Sequence, residues 1–184
     1  MSIQQSIIDY CTNNRLSSSE VADALGKSGV IPYVNPINSG LHRVGPIRCL
    51  FASHNSNWYV HVDARDVQPG EIVLVFTNDV DNDRAVLGDL ISKYILLYRR
   101  ASALVVLGSV RDVHRLRKEN YPIWSRGISP LGCFNAPVSP FPKDLRNDLE
   151  SQFSESIAIC DDTGVVVIPK SSHTSHFLDK LEAI

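Results

Sequence analysis

Residues 103–113 read ALVVLGSVRDV. Five aliphatic residues run without interruption, and three small or apolar ones follow before an arginine stands next to an aspartate. An apolar run of this length, with no polar alternation, has the pattern of a strand covered on both faces. Charged residues placed immediately past such a strand fall where α/β proteins commonly hold their ligands, outside the carboxyl ends of the strands. Residues 103–108 are therefore expected to form a buried strand of an α/β fold. Arg111 and Asp112 are then a surface ion pair, a helix cap or half of a ligand site.

The segments on either side fit that frame. Upstream, Pro69-Gly70 marks a turn and EIVLVF (71–76) a second buried strand, followed by polar TNDVDNDR. Leu87, Leu90, Ile91, Tyr94, Ile95 and Tyr98 recur at helical spacing and predict a helix over about 84–101. Downstream, a short helix is expected over 112–119, then a strand in YPIWSRG that ends at Gly127. Prolines 130, 137, 140 and 142 make 128–143 loop-like. IAIC (157–160) and VVVIP (165–169) bracket Asp161-Asp162-Thr163-Gly164, a hairpin signal, and a last helix is expected over 173–183. Toward the N-terminus, Ile3, Ile7 and Ile8 predict an amphipathic helix over 2–13, and Ser17 with Glu20 forms a capping box for the next helix, which Gly26 or Gly29 ends. Residues 31–46 read as irregular, and IRCLFA (47–52) and WYVHV (58–62) as strands. The pattern, without repeats, predicts one α/β domain spanning 1–184, with helices packed around one or two sheets.

Bulk properties narrow the functions. The chain has 184 residues, 43% hydrophobic and 21% charged, with a formal net charge of −2. That charge gives no overall attraction to nucleic acid or acidic membranes, and no apolar stretch reaches membrane-spanning length. Cys11, Cys49, Cys133 and Cys160 lie far apart with no CxxC, so neither a zinc site nor a disulfide framework is indicated. Scattered thiols and an N-terminus without a signal-peptide pattern predict a cytoplasmic protein.

Three short motifs invite functional readings that the residues do not support. GKSG (26–29) resembles the end of a phosphate-binding loop, but Val21 stands where the first glycine is needed, and a helix C-terminus suits glycine and lysine. GISPL (127–131) has Leu131 where a nucleophile elbow needs glycine. His173 and His176, three apart on the expected terminal helix, lack an intervening glutamate and read as solvent-facing. The basic run around His114, Arg115, Arg117 and Lys118 reads as a solvated helix face.

Gly88-Asp89-Leu90-Ile91 is a second strand–turn–helix junction. Glycine lets a ligand approach the backbone there, and amides near a helix start can hold a carboxylate. Arg111 offers a bidentate grip on a keto acid, and Asp112 is the kind of group that holds Mg²⁺, which takes one or two carboxylates beside water and substrate. Spacing alone does not bring the two junctions together.

GDLI (88–91) followed by GSVRDV (108–113) resembles the family of the regulator of ribonuclease activity A, which includes the 4-hydroxy-4-methyl-2-oxoglutarate aldolases. LSSSEVADALG (16–26), HRVGPIRCL (42–50), DVQPGEIVLV (66–75), PIWSRGISP (122–130) and DDTGVVVIP (161–169) resemble further family segments in the same order, so the likeness spans about 16–170. It implies a swivelling β/β/α fold and a homotrimer or hexamer with clefts between subunits. It also implies that the amides of Asp89, Leu90 and Ile91, with Gly88, bind the carboxylate of a 2-oxo acid. Arg111 then binds the keto acid and steadies an enolate, Asp112 holds Mg²⁺ or Mn²⁺, and Asp89 supports the metal's water shell. The implied activity is a metal-dependent pyruvate aldolase or oxaloacetate decarboxylase working through a pyruvate enolate, with the general base unassigned. The family's other role, a non-catalytic regulator of ribonuclease E or an RNA helicase, is the alternative. The sequence departs from the family pattern at Leu107-Gly108, in 140–156 and in its short C-terminus, where Glu182 is a candidate for a neighbouring subunit's metal shell.

Overall fold

The computed structural model describes residues 2–81 and 83–184. Among these, ten strands connect in the order β1-β10-β9-β3-β4-β6-β5-β8, with β7 on β6 and β2 (Asn35–Pro36) on β7. The strand first recognised in the sequence is β6, Ala103–Val110, with β4 (Ile72–Asn78) parallel along one edge and β7 (Ile123–Ile128) parallel along the other. Every residue of β6 is buried except partly exposed Gly108, as an uninterrupted aliphatic run requires.

β3 (Arg43–Ser53) joins two sheets. Its first four residues pair antiparallel with β9 (Ile157–Cys160), and from Ile47 onward it runs parallel to β4. β9 and β10 (Val165–Ile168) form the expected hairpin, and β1 (Val30–Ile31) adds to β10. Strand alternation then divides the core. Ile72, Leu74, Ala103, Val105 and Trp124 face Ala158, Cys160, Val165 and Val167, filling the space between the sheets. Val73, Val75, Leu104 and Val106 point the other way, against helices α3 (Trp58–Asp63), α4 (Asp89–Lys93) and α5 (Val113–Lys118). The outer face of the hairpin sheet is covered by α1 (Ile3–Asn13), α2 (Ser18–Ala24) and α7 (Ser175–Glu182) through Ile7, Val21, Phe177 and Leu181. Each such aliphatic or aromatic side chain gains about 1.5–3 kcal/mol on burial, so the layering follows from β4 and β6 presenting apolar side chains alternately to both faces.

Local chemistry sets several boundaries as expected. Ser17 and Glu20 make both bonds of the capping box that starts α2. The same helix ends with the Lys27 amide donating to the Ala22 carbonyl and Gly26 at φ +70°, so GKSG is a helix terminus. Ser129 of GISPL is buried, its hydroxyl bonded to the Asp83 carbonyl, which is a structural role.

Several elements differ from the sequence reading, beginning with 31–46, where β2 and the first four residues of β3 stand in place of an irregular segment. WYVHV is helix α3, not a strand: Val60, Ala64 and Val67 are buried at i, i+4, i+7 spacing, and packing on the parallel sheet overrides the β-preference of its aromatic and β-branched residues. The helix expected from 84 begins only at Asp89. Arg84–Leu87 is strand β5, because Ala85, Val86 and Leu87 are buried consecutively alongside Ser109 and Val110 of β6. The helix then loosens into a π-helical turn over Tyr94–Tyr98. In the proline-rich connection, short β8 (Leu131–Gly132) pairs with β5, and Lys143–Phe153 forms an unexpected helix, α6, whose Phe153 packs against Phe76. His173 precedes α7 and is partly buried, whereas His176 on that helix is exposed.

Candidate functional site

The ends of β5 and β6 lie side by side, and both junctions open into one cleft. The Arg111 amide donates to the Leu87 carbonyl at 2.9 Å, which fixes the start of the RD segment against the residue before Gly88. Asp112 sits in the left-handed region at φ 59°, and its carboxylate accepts the Asp89 amide at 3.0 Å. A carboxylate thus occupies the first turn of α4, where the free amides and helix dipole favour negative charge. The Asp89 carboxylate turns to Arg115, at 3.5 Å.

Close approach explains two glycines. A β-carbon on Gly88 would lie 2.4 Å from the Asp112 carboxylate and 3.1 Å from the Arg111 side chain, and one on Gly132 would lie 2.4 Å from the Arg111 guanidinium. The arginine therefore lies along two backbones that have no side chains to obstruct it. Its contact with Asp112 is long, 3.8 Å, and both side chains are nearly half exposed. An exposed pair of this kind contributes about 0–1 kcal/mol, so stability alone does not account for the arrangement.

The cleft holds about 100 Å³ and is lined by Ala85–Ile91, Arg111, Asp112, Asn57, His61, Gly132, Cys133 and Asn135. At about 10–15 Å³ of such space per water, that is room for several waters or a small ligand. All the residues singled out in the sequence (Gly88, Asp89, Leu90, Ile91, Arg111 and Asp112) border this one space. Glu182, at the end of α7, does not line it. Asn57 and His61 are not marked by the sequence pattern, which reads 58–62 as a strand; the helical spacing of Val60, Ala64 and Val67 is the signal that places His61 on a helix. Nothing in the sequence marked Gly132 or Cys133. Burial pushes the Cys133 thiol pKa up, and it lowers that of His61.

Among the described residues no group of three or more His, Cys, Asp or Glu side chains is gathered as a metal site. Zinc in a protein cage would need three or four such ligands. The cleft offers two acidic side chains, Asp89 and Asp112, which suits a hydrated Mg²⁺-type ion that relies on water and substrate for its other ligands.

The fold and cleft define a two-sheet α/β protein with a small cleft, bordered by Arg111, Asp89 and Asp112, at the carboxyl ends of parallel strands. Residues 18–167 match the RraA-like family, described as Aldolase/RraA, and the chain belongs to that family. It is 27% identical over 177 residues to a candidate 4-hydroxy-4-methyl-2-oxoglutarate aldolase of Halalkalibacterium halodurans, covering 91% of this chain and 80% of that protein. It is also 27% identical over 180 residues to protein DlpA of Legionella pneumophila, covering 85% of this chain but 26% of DlpA, so it spans about a quarter of that relative. The crystal structure of Streptomyces coelicolor RraAS2, an unusual member of the RNase ES inhibitor RraA family, superposes with a TM-score of 0.74 at 20% identity, covering 97% of this chain and 89% of that one. The family thus contains both aldolase-named and regulator-named proteins. No helix among the described residues is long and apolar enough to cross a membrane.

Proposed function

We propose that the chain is a divalent-metal-dependent carbon–carbon lyase acting on 2-oxo acids, cleaving 4-hydroxy-4-methyl-2-oxoglutarate or a related aldol, oxaloacetate, or both. The observation that carries this reading is the convergence of Arg111, Asp112 and the first turn of α4 on one small cleft. Because Asp112 already holds the Asp89 amide, the amides of Leu90 and Ile91 are the ones to receive a substrate carboxylate, as first-turn groups with no carbonyl four residues earlier in the helix. Arg111, stretched between Gly88 and Gly132, supplies fixed positive charge where a pyruvate enolate acquires its negative charge. Asp112, supported by Asp89, would hold Mg²⁺ or Mn²⁺. Such an ion, when bound, supplies Lewis-acid polarisation of the 2-oxo group.

Copies of the chain assemble as a trimer or hexamer, with a second chain bordering the cleft. Supporting this, Leu90 at the cleft is 82% exposed, and Tyr98, Ile128 and Phe134 are exposed as well. The alternative, a regulator that docks on ribonuclease E or an RNA helicase, has a structural relative in its favour but gives no reason to set Arg111 and Asp112 in a shared cleft. The chain is proposed to work on a small molecule in the cytoplasm, with no direct contact to nucleic acid.

The test is pyruvate release from both substrates with Mg²⁺ or Mn²⁺, followed by chelation with EDTA. Metal-dependent turnover of either substrate is expected, and no turnover of either with any divalent ion would remove the lyase reading. Gly88→Ala provides a local check. Its methyl group must displace Asp112 or Arg111, and a misplacement of about 1 Å can cost about 10²-fold in rate. A loss of that size with an unchanged thermal unfolding curve is expected; wild-type rates would show that the close approach is irrelevant to turnover.

A further inference from the structure

The cleft contains a residue able to carry the proton that aldol cleavage must move. We propose that His61 is the proton-transfer residue of this site, taking the proton from the substrate's C4 hydroxyl and returning it to C3; the proposal rests on the lyase reading above.

Asn57 precedes α3 and His61 lies one turn later, with the His61 amide donating to the Asn57 carbonyl at 3.1 Å. Residues four apart share a helix face, and both line the cleft with Arg111 and Asp112. The Asn57 Nδ2 donates to the Val86 carbonyl at 2.8 Å, tying the start of α3 to β5 two residues before Gly88. That tie fixes where His61 stands relative to the substrate pocket. The Asn57 Oδ1 is buried and accepts no hydrogen bond among the described residues.

In the lyase reading the two lining carboxylates, Asp112 and Asp89, serve the metal and its water shell, and the remaining ionisable lining groups are poor bases. Asp89 pairs with Arg115, and Asp112 holds the Asp89 amide and stands beside Arg111. Cys133 is kept as the thiol by burial, and an arginine does not release its proton. His61 is exposed at the cleft, so substrate can reach it, and desolvation lowers its pKa and favours the neutral base.

The step balances without another reactant. His61 accepts the C4 hydroxyl proton as the oxygen forms a carbonyl. The C3–C4 bond breaks and leaves its electron pair on the pyruvate fragment as an enolate. The imidazolium then returns the proton to C3, giving two pyruvates from 4-hydroxy-4-methyl-2-oxoglutarate. Oxaloacetate decarboxylation has no hydroxyl to deprotonate, and solvent can protonate its enolate.

His61→Asn and His61→Ala should therefore divide the two reactions. General base catalysis contributes about 10²–10⁴-fold, so aldol cleavage should fall by about 10²-fold or more, while decarboxylation falls by less than about 10-fold. Exchange of pyruvate C3 hydrogens in D₂O should fall with aldol cleavage, and added imidazole should restore part of it to His61→Ala. Equal losses in both reactions would mean a structural role and overturn the proposal, as would cleavage at the wild-type rate. Wild-type turnover of each substrate tests the lyase reading on its own, so the two ideas can fail separately.

Discussion

Replacing Arg111 with alanine should lower kcat/KM for both proposed substrates by about 10³-fold while leaving the fold intact. Removing one preorganised donor from a developing oxyanion typically costs about 10²–10³ in rate, and Arg111 is proposed to grip the substrate as well. The loss should appear in both reactions because they share the enolate, unlike the selective loss expected at His61. Lysine should recover little. Its ammonium is a point charge on a flexible stem, without the planar fork that lies between Gly88 and Gly132. Stability should change by less than about 1 kcal/mol, since the side chain is nearly half exposed and its nearest charge is 3.8 Å away. Steady-state kinetics with a chemical unfolding curve on the same preparations would check both halves. Undiminished activity in Arg111→Ala would show that the cleft is not where the chemistry occurs.

The halves of this site differed in how far the sequence exposed them. β6 was legible because five consecutive aliphatic residues leave no solvent face, and the two faces of the strand do enter two separate clusters. The hairpin at 157–168 was legible because its turn residues and flanking β-branched runs agree. Arg111, Asp112 and the GDLI turn stood out as chemistry at strand ends, yet their meeting depends on β5 lying along β6. The sequence hid β5 because Leu87 fits the helical stripe of Leu90, Ile91 and Tyr94 equally well. Tertiary pairing with Ser109 and Val110 decided the matter. The same competition hid His61. Read as a strand, 58–62 gives His61 no link to the GDLI turn; as a helix, it borders the cleft together with Asn57. A short amphipathic helix rich in tryptophan, tyrosine and valine has local preferences opposed to its packing, and packing prevailed.

The largest effect on stability should come from Trp124→Ala. Trp124 is fully buried between the two sheets, and its indole N–H donates to the Asp161 carbonyl at 2.7 Å. Asp161 is also the point where the hairpin turn meets α2. Its carboxylate accepts the Ser18 amide at 2.6 Å, the Ser18 hydroxyl at 2.8 Å and the Thr163 amide at 2.8 Å. The indole therefore fills the core between the sheets while holding the residue that fastens the second sheet to its covering helix. Large-to-small substitution of a buried tryptophan costs about 3–5 kcal/mol, a large share of the 5–15 kcal/mol typical of a folded domain. Trp124→Phe separates the two contributions. It keeps most of the apolar volume but removes the donor to the Asp161 carbonyl, at a cost of about 1–3 kcal/mol. Urea unfolding followed by circular dichroism should thus rank wild type above phenylalanine and phenylalanine above alanine. A phenylalanine variant as stable as wild type would assign the effect to packing alone. An alanine variant within about 1 kcal/mol of wild type would mean that the two sheets do not depend on this side chain, and the account of the core between them would fail.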